Sequence, residues 1–283
     1  MGRVEEKVAL ITGAARGLGQ SHAVRLAEEG ADIIALDIGA GVGTVDYGLG
    51  TPEELRETSE KVEALGRRVF ARTADVRDYE GLKAAVDEGV DALGRLDIVC
   101  ANAGITSFGT LDELEEQAWR DVMDVNLGGT WHTAKAGIPH LREAGGGAII
   151  AISSTAGLMG MPGIGHYSAS KHGVVGLVRS MALELAPEMI RVNSVNPTNV
   201  NTTMMVNELT FERFAPELSK EERTLDVMKK RFQFANAMPI AWVEPVDVSN
   251  AVLWLASDEA RYVTGIALPV DAGSSAGLIP PRD

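Results

Sequence analysis

The sequence predicts an α/β fold: a single domain spanning residues 1–283, with a doubly wound, seven-stranded parallel sheet covered by helices on both faces. Three observations predict it. Short apolar runs alternate with helical stretches from Val8 to Val270, the pattern of a parallel sheet buried on both faces. No linker, internal repeat or low-complexity tract interrupts the alternation. A chain of 283 residues is also a common size for one α/β domain with a full core.

The first strand falls at 7–12, where Val8, Ala9, Leu10 and Ile11 form a short buried run. Thr12-Gly13-Ala14-Ala15-Arg16-Gly17-Leu18-Gly19 follows directly, and a helical pattern continues through Ala23, Leu26 and Ala27 to Gly30. The glycines therefore occupy a strand-to-helix turn of the Rossmann type. Glycines let the backbone approach a pyrophosphate, and the free N–H groups and dipole of the helix start favour its charge. The spacing is Gly-x-x-x-Gly-x-Gly rather than Gly-x-Gly-x-x-Gly. An isolated glycine cluster is ordinarily only a turn; the strand before, the helix after and an acid downstream make Gly13, Arg16, Gly17, Leu18 and Gly19 candidate cofactor-binding residues.

The acid is Asp37, which ends the second strand at 32–37. A carboxylate there accepts hydrogen bonds from the adenosine ribose hydroxyls and repels a 2′-phosphate, which selects NAD over NADP. Arg16 pulls the other way, since it can reach a phosphate. No Lys or Arg follows Asp37 immediately, so the acid outweighs it. Residues 38–50 are a glycine-rich insertion before the next helix, placed beside the adenosine half of a dinucleotide and able to close over it. The remaining strands are expected near 68–74, 96–101, 147–152, 190–195 and 264–270.

Ser154 follows the fifth strand, thirteen residues before Tyr167, and Lys171 stands one helical turn after the tyrosine. A Tyr and a Lys four apart share a helix face, so the ammonium is expected beneath the phenol, favouring its ionised form. A free tyrosine titrates near about 10 and is a poor base at neutral pH without such help. Tyr-x-x-x-Lys alone occurs by accident on many surface helices. Ser153 rivals Ser154, and only the spacing to Tyr167 selects the latter.

Together these motifs resemble the short-chain dehydrogenase/reductase family over nearly the whole chain. The resemblance implies that Asp75 and Val76 contact the adenine, and that Asn102, Ala103 and Gly104 line the cofactor after the fourth strand. Ala101 stands where the family has a further Asn, which removes one side-chain hydrogen bond. Asn126 matches the fourth catalytic position, where a helix carbonyl holds a water that feeds a lysine proton relay. Tyr167, Ser154 and Lys171 are the rest of the catalytic set, with Tyr167 and Lys171 also touching the cofactor. Pro197 opens the turn after the sixth strand, where Thr198 replaces the usual glycine, and Thr202 falls at the nicotinamide carboxamide position. Relatives commonly form homotetramers through the helix carrying Tyr and Lys, here about 166–186, and through the last helix and strand. The apolar residues Val174, Val175, Leu177, Val178, Met181 and Leu185 exceed one stripe and fit burial on two sides.

The insertion at 38–50 is similar to that of the carveol dehydrogenase-like, mycofactocin-associated branch of the family. That likeness implies an NAD that does not exchange and an external redox carrier that restores it. A surface loop without such a task is the plainer reading of the same residues. Residues 198–240 are long for a connection and rich in Met and Phe, which suits a substrate-binding segment for a lipophilic or cyclic, terpenoid-like secondary alcohol or ketone. Two amphipathic helices packed on the body explain any one of those residues equally well.

Charge and cysteine usage bound the setting. A net charge of −14 disfavours nucleic acid or an anionic membrane as partner, because either demands a basic stripe. The single Cys100 closes an apolar strand and forms no internal disulfide. No N-terminal signal and no apolar span of membrane length is seen, which points to the cytoplasm. The five histidines are scattered, and His166 and His172 are wrongly spaced to share a metal, so none is expected. A 3-oxoacyl-[acyl-carrier-protein] reductase shares these motifs but needs NADPH and a basic docking surface, which Asp37 and the acidic balance oppose. A non-catalytic nucleotide-binding protein has no use for a complete Asn126, Ser154, Tyr167 and Lys171 set.

Overall fold

In the computed structural model the apolar runs become strands buried on both faces. The structure describes residues 2–277; Met1 and residues 278–283 of the expected domain lie outside the described residues. The strands are β1 (Val8–Thr12), β2 (Asp32–Asp37), β3 (Val69–Thr73), β4 (Ile98–Ala101), β5 (Gly147–Ile152), β6 (Ile190–Pro197) and β7 (Ala267–Val270). All pair in parallel, in the order β3-β2-β1-β4-β5-β6-β7. The helices are α1 (Gly17–Glu28), α2 (Pro52–Ala64), α3 (Tyr79–Leu93), α4 (Glu116–Met123), α5 (Gly129–Glu143), α6 (Gly165–Leu185), α7 (Glu208–Phe214), α8 (Leu225–Gln233) and α9 (Pro245–Ala256).

Successive strand residues point to opposite faces, so each strand feeds two cores. Leu10, Ile34, Val99 and Ile149 pack with Leu82 and Val86 of α3, Leu141 of α5 and Val174 of α6. Ile11, Ile33, Ile98 and Ile150 pack with Leu26 of α1, Val62 of α2 and Val252 of α9. The order in which strands are added switches direction between β1 and β4, and the crevice at the carboxyl ends of those two parallel strands is where an open α/β sheet offers a ligand site.

Three strand boundaries depart from expectation by more than one residue. β7 starts at Ala267 rather than 264, because Gly265 adopts a left-handed φ of +79° that breaks the extended run. β4 starts at Ile98 rather than 96; just before it, the Asp97 carboxylate takes the Val8 N–H at 3.0 Å. β6 runs on to Pro197 by pairing with Val270.

Helices α4 and α5 are joined through a π turn at Asp124–Gly128, giving one helical run from Glu116 to Glu143. Downstream of that turn, His132 Nδ1 meets the Val76 carbonyl at 2.8 Å and Lys135 Nζ lies 4.0 Å above the Tyr79 ring. The expected two-sided burial of α6 takes another form. Val174, Val175, Val178, Met181 and Leu185 are covered within the protomer, because α6 packs on β6 along one side and on α4 and the π turn along another. Between β6 and α9, helices α7 and α8 hold an aromatic cluster in which buried Phe232 meets Phe211, Phe214 and Trp242. No helix among the described residues is long and apolar enough to cross a membrane.

Candidate active site

The glycine turn between β1 and α1 is shaped by close backbone approach. Gly13 and Gly17 adopt left-handed φ values of +68° and +56°. A Cβ on Gly19 would lie 1.9 Å from the Gly13 carbonyl oxygen, so only glycine lets α1 start this close to the turn. Asn102 stitches the end of β4 to the same turn: its Nδ2 donates to the carbonyls of Thr12 at 2.9 Å and Gly13 at 3.2 Å. Helix α1 begins with no side-chain cap and no acid in its first turn, whereas Thr51 and Asp78 cap α2 and α3. Its first N–H groups are thus left for an anion in the crevice.

Asp37 ends β2 beside this turn. Its carboxylate accepts the N–H of Ala15 at 2.9 Å and of Gly39 at 3.2 Å. Burial raises its pKa above the ordinary value, and those two N–H groups pull the other way. Arg16 does not project freely toward a phosphate. Its guanidinium donates to the carbonyls of Gly48 and of Leu49, the latter at 3.3 Å, and stands 3.6 Å from Glu54. It fastens the insertion to the glycine turn. Asp75 is paired with Arg77 at 2.7 Å, and Val76 is buried next to it.

At the other end of the crevice lie Ser154, Tyr167 and Lys171. The Ser154 hydroxyl accepts the Ala156 N–H at 3.1 Å, while Ser153 turns away and donates to the Lys171 carbonyl at 3.0 Å. Ser154 is therefore the serine that faces the phenol. Lys171 is 3% exposed; its Nζ donates to the Ile152 carbonyl at 2.8 Å and stands 5.5 Å from the Tyr167 ring centroid.

The electrostatics differ from the sequence expectation. Burial pushes the Tyr167 phenol above its ordinary pKa, with the Ser154 hydroxyl opposing the shift. Burial also lowers the Lys171 ammonium to about 8. Spacing along a helix predicts that the two groups are near each other, but it carries no information on how completely water is removed from both.

Asn126 is placed differently from the other candidates. It is fully buried and does not line the crevice. Its Oδ1 accepts the Ile105 N–H at 2.8 Å, and its Nδ2 donates to the Ile105 carbonyl at 2.9 Å and to Ser170 Oγ at 3.1 Å. Its own main-chain carbonyl, which the resemblance assigns to a water, accepts the Thr130 hydroxyl at 2.7 Å. The side chain clamps the loop after β4 to helix α6.

One crevice gathers the remaining candidates: Gly13, Arg16, Gly17, Leu18, Gly19, Asp37, Asp75, Val76, Asn102, Ala103, Gly104, Ser154, Tyr167, Lys171, Pro197 and Thr202. Its apolar part is completed by Phe108, Met161, Ile164, Met204, Met205 and Phe214, of which sequence reasoning anticipated only the 198–240 segment that supplies Met204, Met205 and Phe214. It also missed Tyr47, whose hydroxyl accepts the Thr106 N–H at 3.1 Å. The available signal was a lone aromatic side chain in a glycine-rich insertion.

Residues 7–213, which carry the glycine turn, the Ser154/Tyr167/Lys171 group and Thr202, match the short chain dehydrogenase family. The chain belongs to that family. Among curated members, it is 55% identical to a (-)-trans-carveol dehydrogenase of Rhodococcus erythropolis, over 97% of this chain and 99% of that protein. Among solved structures, a carveol dehydrogenase from Mycobacterium avium in complex with NAD superposes with a TM-score of 0.96 at 52% identity, covering 98% of this chain and 100% of that one. A short chain dehydrogenase from Mycobacterium paratuberculosis bound to NAD gives 0.89 at 46% identity, with coverage of 98% and 100%. The family's dehydrogenase motifs thus stand in this chain on the fold that carries them in those relatives.

Proposed function

We propose that this short chain dehydrogenase is an NAD-dependent oxidoreductase that moves a hydride between a nicotinamide cofactor and a secondary alcohol or ketone. The observation that carries the reading is a single crevice joining an uncapped helix start and an acid at the end of β2 to the buried Ser154, Tyr167 and Lys171. These residues fit NAD. The uncapped first turn of α1 suits a pyrophosphate, and a buried carboxylate at residue 37 suits a ribose whose 2′-hydroxyl is free. The NAD complexes of two close structural relatives support the same cofactor.

When bound, the cofactor supplies hydride acceptance or donation at its nicotinamide ring. The chain supplies position and proton handling. Gly13, Arg16, Gly17, Leu18 and Gly19 hold the phosphates, with Arg16 acting through the insertion it fastens. Asp37 binds the adenosine ribose, and Asp75 and Val76 flank the adenine. Asn102, Ala103, Gly104, Pro197 and Thr202 line the nicotinamide half. Tyr167 takes the proton of the substrate alcohol, or returns it to a carbonyl, while Ser154 holds the same oxygen. Lys171, at its lowered pKa of about 8, holds ribose hydroxyls and exchanges the tyrosine's proton. Asn126 is a positioning residue that sets the loop at Ile105.

The substrate reading is a lipophilic or cyclic, terpenoid-like alcohol. Met161, Ile164, Met204, Met205 and Phe214 supply adaptable apolar lining from the 198–240 segment and its neighbours, and a relative with 55% identity is a carveol dehydrogenase. The 38–50 insertion, held near its carboxyl end against the glycine turn and the loop after β4, is proposed to retain NAD so that an external redox carrier restores it. A cytoplasmic homotetramer is the accompanying proposal. It is supported by Leu183 on α6 and Tyr262 before β7, which stand 81% and 83% exposed.

Tyr167→Phe is expected to abolish turnover while leaving NAD bound, read by the absorbance of reduced nicotinamide and by nucleotide content. An active Phe variant refutes the assignment. On a panel of terpenoid, steroid and polyol alcohols, fastest turnover of polyols refutes the substrate class.

A further inference from the structure

The insertion carries a side chain that neither the family motifs nor the catalytic set account for. Tyr47 is the one aromatic residue between Ile38 and Gly50, and it lines the crevice together with Ile105, Thr106 and Tyr167. Its oxygen accepts the Thr106 N–H at 3.1 Å, so the segment leaving β2 crosses to the loop after β4. The crossing is held elsewhere too: Thr44 Oγ1 donates to Asp121 at 2.7 Å, and Arg16 grips the carbonyls of Gly48 and Leu49. A loop fastened this way presents its phenol in a fixed place.

The accepted bond from Thr106 leaves the phenolic proton free, and no acceptor takes it among the described residues. Burial pushes the phenol's pKa up, so it remains a neutral donor throughout the physiological range. Its chain neighbours Gly48 and Leu49 are gripped by Arg16 of the glycine turn, and its own oxygen is held by Thr106 of the loop after β4, so within the crevice it lies between those two points. An unclaimed neutral donor in a desolvated position is the group that recognises an oxygen of a bound ligand.

We propose that Tyr47 is a dinucleotide-binding residue, whose phenolic O–H donates to an oxygen of the pyrophosphate–ribose link from the side opposite the glycine turn. The proposal rests on the NAD reading and extends it to a residue of the insertion. It makes the insertion a direct ligand-binding element as well as a cover. Tyr47→Phe keeps the ring and removes only the hydroxyl.

The test is calorimetric binding of ADP-ribose and of AMP to the full-length chain freed of nucleotide, for wild type, Tyr47→Phe and Thr44→Val. Both ligands reach the adenosine end, but only ADP-ribose spans the middle. Loss of one hydrogen bond to a charged acceptor predicts that Tyr47→Phe weakens ADP-ribose about tenfold. AMP is expected to bind within about twofold of wild type. Thr44→Val, which loosens the insertion and leaves the phenol, is expected to keep the ratio of the two affinities. Equal weakening of both ligands by Tyr47→Phe would mean that the insertion only closes over adenosine, and would overturn the proposal. So would unchanged ADP-ribose affinity, whether or not the KM for the alcohol rises. Wild-type protein that binds neither ligand would overturn the NAD reading itself, a result distinct from a wild type that binds both and a Tyr47→Phe variant that matches it.

Discussion

Replacing Asn126 by Ala removes a clamp whose strength follows from its contacts. The side chain satisfies both main-chain groups of Ile105, at 2.8 and 2.9 Å, and reaches Ser170 at 3.1 Å. Ile105 is 4% exposed, so its N–H and carbonyl find no bulk water when the amide is gone. Each orphaned buried group costs about 1–3 kcal/mol, and a water entering the vacated polar space recovers part of it, leaving a net loss of roughly 3 kcal/mol. For a domain of this size that corresponds to a fall in Tm of roughly 6–12 °C. Thermal unfolding followed by circular dichroism measures it. Asn126→Asp is expected to fall at least as far as Ala, because a carboxylate oxygen would replace the donor that faces the Ile105 carbonyl. Turnover should fall in both variants as the loop at 104–107 shifts. A variant that loses turnover while unfolding within about 2 °C of wild type would refute the clamp and leave Asn126 with a role in the chemistry alone.

Two further outcomes follow from the crevice. Asp37→Ser removes the charge that repels a 2′-phosphate, so the kcat/KM ratio for NADP over NAD should rise roughly tenfold or more, and an unchanged ratio would show that another group selects the cofactor. Lys171 gives a pH dependence: its folded pKa of about 8 lies below its usual 10.5, so the unfolded chain binds more protons between those values and stability rises with pH across that window. Urea unfolding at the two ends of the window should show this gain in nucleotide-free wild type and not in Lys171→Met; a gain of equal size in both would place its source elsewhere.

Much of the architecture was readable because parallel strands buried on both faces leave unbroken apolar runs. Asp32–Asp37 and Gly147–Ile152 fall where the sequence places them. The boundaries that moved did so for local reasons that no hydropathy pattern records, such as the left-handed Gly265 before β7. The crevice was readable where chemistry has a fixed spacing, as in the glycine turn and the Ser154, Tyr167 and Lys171 group. The engagement of Arg16 with Gly48 and Leu49, and the position of Tyr47, were not readable. Both depend on how an aperiodic loop folds back across the sheet, and a glycine-rich stretch has neither a period of 2 nor of 3.6 to report it. The α6 apolar face was readable only in part: counting apolar residues says how much is buried, not which neighbour buries it.

The π turn at Asp124–Gly128 separates two demands that a regular helix would force into one setting. Within the turn, the amide of Asn126 must meet Ile105; downstream, His132 must meet the Val76 carbonyl and Lys135 the Tyr79 ring. Each residue added to or removed from a helix rotates everything beyond it by about 100°. The wide turn acts as a phase adjuster between the two halves. Its surplus residue allows one angular registration for the reacting end and another for the outer layer, so a single-residue deletion there would force the chain to give up one of them.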